Sequence, residues 1–133
     1  MRELDFSDGF ESASIPVDSG TTTQTINNGQ ATTNITGMVF SSTTYRTIVI
    51  EYDVLRSTAT NERVAVGILK LQYSPTGAAW EIASDVQDHE QSEDHGITFS
   101  ITAAGQARYS SDTLAGASYS GSMKWKVLRR YSV

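Results

Sequence analysis

The sequence predicts an all-β protein, an antiparallel β-sandwich of about eight to ten strands that fills one domain over residues 1–133. Three observations predict this class. Ser, Thr, Gly and Asn are abundant, while the helix formers Leu and Lys are scarce. Apolar and polar residues alternate along several stretches, which is the period of a half-buried strand. Turn signals such as "NNG" at 27–29 separate these stretches at the spacing expected for an antiparallel sandwich.

The first 45 residues predict two or three short, polar strands. Their apolar positions are few and well separated, at Ile15, Val17, Ile26, Ile35 and residues 38–40. Pro16 restricts its own strand to the edge or the end of a sheet, because proline has no N–H to donate to a neighbouring strand.

Residues 46–56, "RTIVIEYDVLR", predict the clearest strand, and residues 62–73, "ERVAVGILKLQY", predict its partner. The apolar side chains of the partner change face in its middle, near Gly67. Two explanations remain open. A β-bulge over residues 67–69 would restore one inward face, or both faces are covered, one by the core and one by a neighbouring subunit. The inward residues of the first strand are Ile48, Ile50, Tyr52 and Val54.

The most regular local pattern is "GITFSITAAGQARYSS" at residues 96–111. We interpret it as a hairpin whose three-residue loop ends at Gly105 in a G1 bulge, since glycine adopts positive φ without steric cost. This loop pairs Phe99 with Tyr109 on one face, whereas a two-residue loop would mix the two faces. Trp80 in "AAWEIAS" and Trp125 in "SMKWKVLRRYSV" lie at inward positions of the remaining strands and are expected in the core.

Composition excludes several classes of protein. The formal net charge is −5, which argues against nucleic acid as the partner. There is no cysteine, so disulfides and thiolate metal sites are excluded. No apolar run approaches the roughly 20 residues that span a bilayer, so membrane insertion is not expected. The start, "MRELDFSDGF", is acidic and lacks the apolar stretch of a signal peptide.

Candidate chemistry concentrates in the acidic loop at 85–95. Its carboxylates and two imidazoles are divalent-cation ligands by type, but their spacing matches no established metal site, so we expect no metal and no cofactor. Both histidines of the chain lie in this loop, and no nucleophile elbow accompanies them, so catalysis is not expected. The loop contributes Asp88, His89, Asp94 and His95 as candidate ligand-binding residues.

Tyr119 is the best aromatic candidate for ligand binding. It lies in the Gly- and Ser-rich stretch "AGASYSG", where a large, stiff ring is exposed to a partner more readily than in a strand. We therefore predict that Tyr119 and the loop at 88–95 form one recognition surface.

Three blocks of the sequence carry a family resemblance. They are "YRTIVIEYDVLRSTATNERVAVGILKLQYSPTGAAWEIASDV", "DHGITFSITAAGQARYSSDTLAG" and "GSMKWKV". Together they cover about residues 30–130 and resemble the C-terminal tip domains of phage tail fibres. They are equally similar to trimeric adhesive fibre proteins of bacteria, including predatory bacteria. The hairpin block is the most specific part, and residues 1–30 fall outside the pattern.

The resemblance implies a homotrimeric β-sandwich at the end of an extracellular fibre, on a virion or a bacterial surface. Residues 1–30 fall outside it, but polar, Thr-rich strands suit exposed positions near a fibre stalk. The resemblance also implies a non-enzymatic domain that binds a cell-surface glycan or an envelope component through its loops. A trimer needs apolar surface away from the core, for which Val49, Leu55 and Leu128 are candidates. The alternatives are a purely structural trimerisation or capping domain, and a glycan-degrading enzyme.

Overall fold

The computed structural model describes residues 20–88 and 94–133. All regular secondary structure in these two ranges is β-strand, and no helix long and apolar enough to cross a membrane occurs in them. The strands are β1 (Thr22–Thr25), β2 (Thr33–Val39), β3 (Tyr45–Ser57), β4 (Glu62–Ser74), β5 (Ala79–Asp88), β6 (Ile97–Ile101), β7 (Gln106–Ser111) and β8 (Ser120–Ser132). The predicted strand that contains Pro16 lies outside the described residues.

The strands form two antiparallel sheets. One has five strands in the order β1-β8-β3-β4-β5, and the other has three in the order β2-β7-β6. The buried apolar side chains of both sheets belong to a single cluster. This architecture confirms the all-β, two-sheet prediction and is consistent with a β-sandwich.

Strand β3 is the centre of the larger sheet, paired with β4 on one side and β8 on the other. Its alternating sequence places every second side chain in the core, as predicted. Trp80 and Trp125 are also buried, so their interpretation as core residues is confirmed. The fully buried side chains of β3 are Ile48, Ile50, Tyr52, Val54 and Arg56.

Of the two explanations for the change of face near Gly67, the β-bulge is wrong. Strand β4 keeps an unbroken register with β3 from Glu62 to Gln72. Gly67 lies directly opposite Tyr52, and a Cβ at Gly67 would collide with the Tyr52 hydroxyl and come within 2.7 Å of the Asp85 carbonyl oxygen. The small residue therefore makes room for the large ring, and the inward face continues without a bulge. The valines and isoleucine before and after Gly67 consequently point away from the core.

The hairpin β6–β7 confirms the predicted register. Phe99 pairs with Tyr109, and Ile101 pairs with Ala107. The loop closes with the Gly105 N–H donating to the Thr102 carbonyl oxygen at 3.0 Å, and Gly105 has a φ of 106°. Turn chemistry and side-chain alternation, both local properties, were sufficient to predict this element.

Candidate functional site

One end of the sandwich is built around Arg56, a fully buried arginine. Arg56 follows Val54 in the alternation of β3, so its side chain points inward like the apolar residues before it. It occupies the last inward position of the strand, where the core gives way to loops. A buried guanidinium is stable only when its charge and its N–H groups find partners.

All five N–H groups of the Arg56 guanidinium find acceptors. Nε donates to the Tyr119 hydroxyl at 3.1 Å. Nη1 donates to the His95 carbonyl oxygen and to Asp112 Oδ1, each at 2.7 Å. Nη2 donates to Asn28 Oδ1 at 3.2 Å and to the Asp112 carbonyl oxygen at 2.7 Å. Because arginine has five donors in a fixed fork, this arrangement is complete and geometrically specific.

The partners of Arg56 come from three loops that are far apart in sequence. Asn28 lies between β1 and β2, His95 precedes β6, and Asp112 and Tyr119 lie between β7 and β8. A second arginine strengthens the junction, since Arg63 donates to Asp112 Oδ2 at 2.9 Å. We call the exposed described residues of these loops, within 26–32, 94–96 and 112–119, the loop surface. Arg56 ties each of these three segments to the end of β3.

The Asp112 carboxylate is the anionic partner of this junction. Partial burial acts to raise the pKa of Asp112, but the hydrogen bonds and charges of Arg56 and Arg63 outweigh it, and the pKa of Asp112 is lowered. A carboxyl group whose pKa is lower in the folded than in the unfolded state stabilises the fold above its unfolded pKa. That contribution is lost as the pH falls through the folded pKa.

Asp112→Asn will therefore reduce the acid sensitivity of the domain. We expect the free energy of unfolding of the parent protein to fall as the pH drops below the ordinary range of a carboxyl group and Asp112 takes up a proton, and that of Asp112→Asn to fall less. Urea titrations at each pH measure both slopes. Glu81→Gln, which removes one exposed carboxylate from the edge strand β5, is the matched control; equal slopes for all three proteins would contradict the prediction.

His95, one of the predicted ligand-binding residues, is buried and not exposed. Its ring is buried, and Nδ1 accepts a hydrogen bond from the Ile97 N–H at 2.9 Å. An accepting Nδ1 carries no proton, so the geometry assigns the neutral ring with its proton on Nε2, which lies 3.4 Å from the Tyr52 hydroxyl. The neighbouring Asp94 is exposed and accepts the Gly96 N–H at 2.9 Å.

Tyr119 is half-buried, and its hydroxyl group has two partners within the protein. It donates to the Ile26 carbonyl oxygen at 2.7 Å and accepts from Arg56, whose Cζ lies 5.6 Å from the ring centroid. The hydroxyl thus anchors its loop, which leaves only part of the ring for a ligand.

Arg56 brings Tyr119 and His95 to one end of the molecule, with Asp94 beside them. The side chain of Asp88 and the whole of His89 lie outside the described residues. Among the residues that the structure describes, no group of three or more potential metal ligands converges. Sequence reasoning missed Arg56 and Asp112, although the inward position of Arg56 in the alternation of β3 was a usable signal.

The three residues predicted for a subunit interface all lie on the larger sheet. Leu55 and Leu128 are almost half exposed, and Val49 is half-buried. Val66 is a further exposed apolar residue, paired with Asp53 on the face that points away from the core. Charged residues share this face, since Lys126 pairs with Glu51 across β8 and β3. We call this surface the outer face.

The fold occurs in a phage tail protein. The chain is similar in structure to the tailspike protein of Acinetobacter phage vB_ApiP_P1, with a TM-score of 0.56 and 12% sequence identity. The alignment covers 93% of this chain and 25% of the tailspike chain, so the domain spans a quarter of that protein. No protein-family model and no curated protein matches the sequence.

Proposed function

We propose that this domain is a receptor-binding tip of a trimeric virion fibre, and that it binds a cell-surface polysaccharide through the loop surface without cleaving it. The observation that carries the proposal is the Arg56 junction, which fixes loops from three parts of the chain at one end of the sandwich. Such rigid presentation favours binding, because a preordered surface loses little conformational entropy when a ligand binds. The shared fold with a tailspike supports a place on a phage tail.

The chemistry of the loop surface suits a polyhydroxylated ligand. Exposed carboxylate and hydroxyl groups stand beside the half-buried Tyr119 ring, and a carbohydrate offers both hydroxyl groups and apolar faces to such a mixture. The exposed polar residues include Asp94, Asp112, Thr113 and Ser118.

Ala117→Trp tests whether the loop surface binds the receptor. Ala117 is exposed, and its carbonyl oxygen already accepts the Ala59 N–H at 2.8 Å, so a larger side chain adds bulk to the surface without removing an internal side-chain contact. We expect attachment of the labelled domain to susceptible cells to fall at least about tenfold, equivalent to about 1.4 kcal/mol.

Thr76→Trp is the matched control for this experiment. Thr76 is exposed in the β4–β5 turn, at the end of β4 far from Arg56. It should leave attachment unchanged. Undiminished attachment of Ala117→Trp would remove the loop surface as the receptor site and favour the structural alternative. Cleavage products in a mass spectrum of the polysaccharide after incubation with the domain would contradict the non-enzymatic part of the proposal.

The trimer is proposed to form through the outer face. The smaller sheet covers the opposite side of the five-stranded sheet, and the outer face combines exposed apolar residues with rows of opposite charge. Apolar area can exclude water in an interface, and charge rows can fix the register between subunits.

Leu55→Glu is expected to dissociate the trimer, because it places a carboxylate in a surface that must lose its water on assembly. Light scattering after gel filtration measures the mass of the assembly. Val39→Glu, a substitution at an equally exposed valine of the smaller sheet, should leave that mass unchanged. A parent protein with the mass of one chain, or a trimer that both substitutions leave intact, would contradict the proposal.

A further inference from the structure

We propose that a groove beside Trp125 and Arg130 binds a carboxylate-bearing sugar residue. The groove has a volume of about 300 Å³ and lies between β8 and the start of β1, with Gly37 and Phe40 at its other wall. Arg130 pairs with Ile48, eight residues along β3 from Arg56, which is roughly 26 Å in an extended strand. The groove is therefore separate from the loop surface, and the inference does not depend on the function proposed above.

The groove exists because the alternation of inward and outward side chains along β8 is interrupted. Val127 pairs with Ile50 and Arg129 pairs with Val49, so Leu128 is an extra residue that forms a bulge. Beyond the bulge, Arg130 pairs with the buried Ile48 and shares its side of the sheet. The Arg130 side chain therefore lies on the core-facing side of β8, where it forms one wall of the groove.

The Arg130 guanidinium lies over the Tyr45 ring and keeps its donors available. Its Cζ lies 5.9 Å from the centroid of the Tyr45 ring, and Tyr45 in turn meets Phe40 edge to face at 6.3 Å. A cation–π contact of this kind requires none of the guanidinium N–H groups as hydrogen-bond donors. Within residues 20–88 and 94–133, Arg130 has no ion pair or hydrogen bond. The planar guanidinium of Arg130 can therefore donate two parallel hydrogen bonds to the two oxygens of a carboxylate.

The remaining walls suit the body of a sugar. Phe40, Val127 and Trp125 supply apolar surface for its C–H groups, and Thr22 supplies a hydroxyl group. Trp125 Nε1 is buried and has no acceptor among the described residues. The same edge of the indole carries Cζ2, only 3.8 Å from where a Cβ of Gly37 would lie. The missing side chain leaves the Cζ2 edge of the indole next to the groove, so the Trp125 ring contacts any occupant.

Charge favours an anionic occupant, although the chain as a whole has a net charge of −5. Arg130 supplies a positive charge on the groove side of β8, and in the described part of the chain it is not paired with a carboxylate. The single guanidinium of Arg130 matches a single carboxylate on an otherwise neutral ring. The volume lies at the low end of the range for small-molecule sites, about 300–1,000 Å³, and accommodates one sugar residue.

The two tryptophans of the chain provide the readout. In a ¹⁵N-labelled protein, glucuronate should shift the indole signal of Trp125 in a saturable manner and leave that of Trp80 in place. Trp80 Nε1 is also buried and has no acceptor among the described residues. It lies beside Gly105 at the hairpin tip, however, and Trp80 does not line the groove. Glucose, which lacks the carboxylate, should bind at least about tenfold more weakly.

Arg130→Gln should weaken glucuronate binding about tenfold or more, whereas Arg129→Gln, a neighbour on the opposite face, should change it by less than about twofold. Equal binding of glucose, an equal loss in both variants, or an unmoved Trp125 signal would overturn the proposal. Tighter binding of methyl phosphate would assign the groove to a phosphorylated ligand instead. A Trp125 shift that follows protein concentration and not sugar would assign it to a second copy of the chain.

Discussion

Arg56→Met will lower the free energy of unfolding by about 3–5 kcal/mol, the cost of breaking a buried charged network by removing one partner. The methionine fills much of the same space but donates no hydrogen bond. Asn28 Oδ1 and the carbonyl oxygens of His95 and Asp112 would then each lose a guanidinium donor. Among the described residues, Asn28 Oδ1 would keep only the Leu114 N–H as a donor, and the Asp112 carbonyl oxygen only the Gly29 N–H. For 133 residues, the expected fall in melting temperature is about 10–18 °C.

Urea denaturation of Arg56→Met and the parent protein measures this difference. Arg108→Met is the matched control, because Arg108 is also a strand arginine but makes one hydrogen bond near the surface, to Asn34 Oδ1 at 3.1 Å. We expect the control to cost about 1 kcal/mol or less. Arg56→Lys keeps the charge but not the fork, and it should fall between the two. A loss in Arg56→Met no larger than in the control would show that the junction does not hold the loops.

Gly105→Ala will be the second most damaging of the substitutions discussed, at about 3 kcal/mol. Part of this cost is conformational, because a φ of 106° is strained for any residue with a Cβ. The rest is steric. The added methyl group would collide with the Phe40 carbonyl oxygen and lie 2.9 Å from Trp80 Nε1. The tip of the hairpin is docked here, with the Phe40 N–H donating to the Gly105 carbonyl oxygen at 3.0 Å.

Gly20→Ala separates the two contributions to that cost. Gly20 also has a positive φ, of 81°, but an added Cβ there would meet nothing within 4 Å. We expect it to cost about 1 kcal/mol, from backbone strain alone. Thermal or urea denaturation of the two variants gives the comparison. Equal losses in both would mean that the docking of the hairpin tip against Phe40 and Trp80 contributes nothing.

Local sequence was sufficient for the strands, their inward faces and the register of one hairpin. The period of two in β3 predicted which side chains enter the core, and the position of Gly105 predicted how β6 and β7 pair. It was not sufficient for β4, where the change of face near Gly67 suggested a bulge. That change is explained by Tyr52, which lies across the strand pair and needs the space of a missing side chain.

The candidate sites depended on contacts that alternation does not encode. Sequence reasoning chose Tyr119 and the loop at 88–95, and the structure shows that the Tyr119 hydroxyl and the His95 ring face inward to partners. The residue that joins them, Arg56, was visible only as a polar side chain in an inward position. Its partners lie 28 to 63 residues away along the chain.

The amino-acid sequence by itself determined an all-β chain, its core-facing residues and the turn that closes its most regular hairpin, because each depends on neighbours within a few residues. Tertiary structure alone decided that three distant loops meet on one guanidinium, and that a bulge at Leu128 brings Arg130 to the core side of β8. The physical reason is that the partners of a buried charge, and the position of a β-bulge, depend on which distant strands and loops pack together. That arrangement is set by the whole fold and not by any one segment.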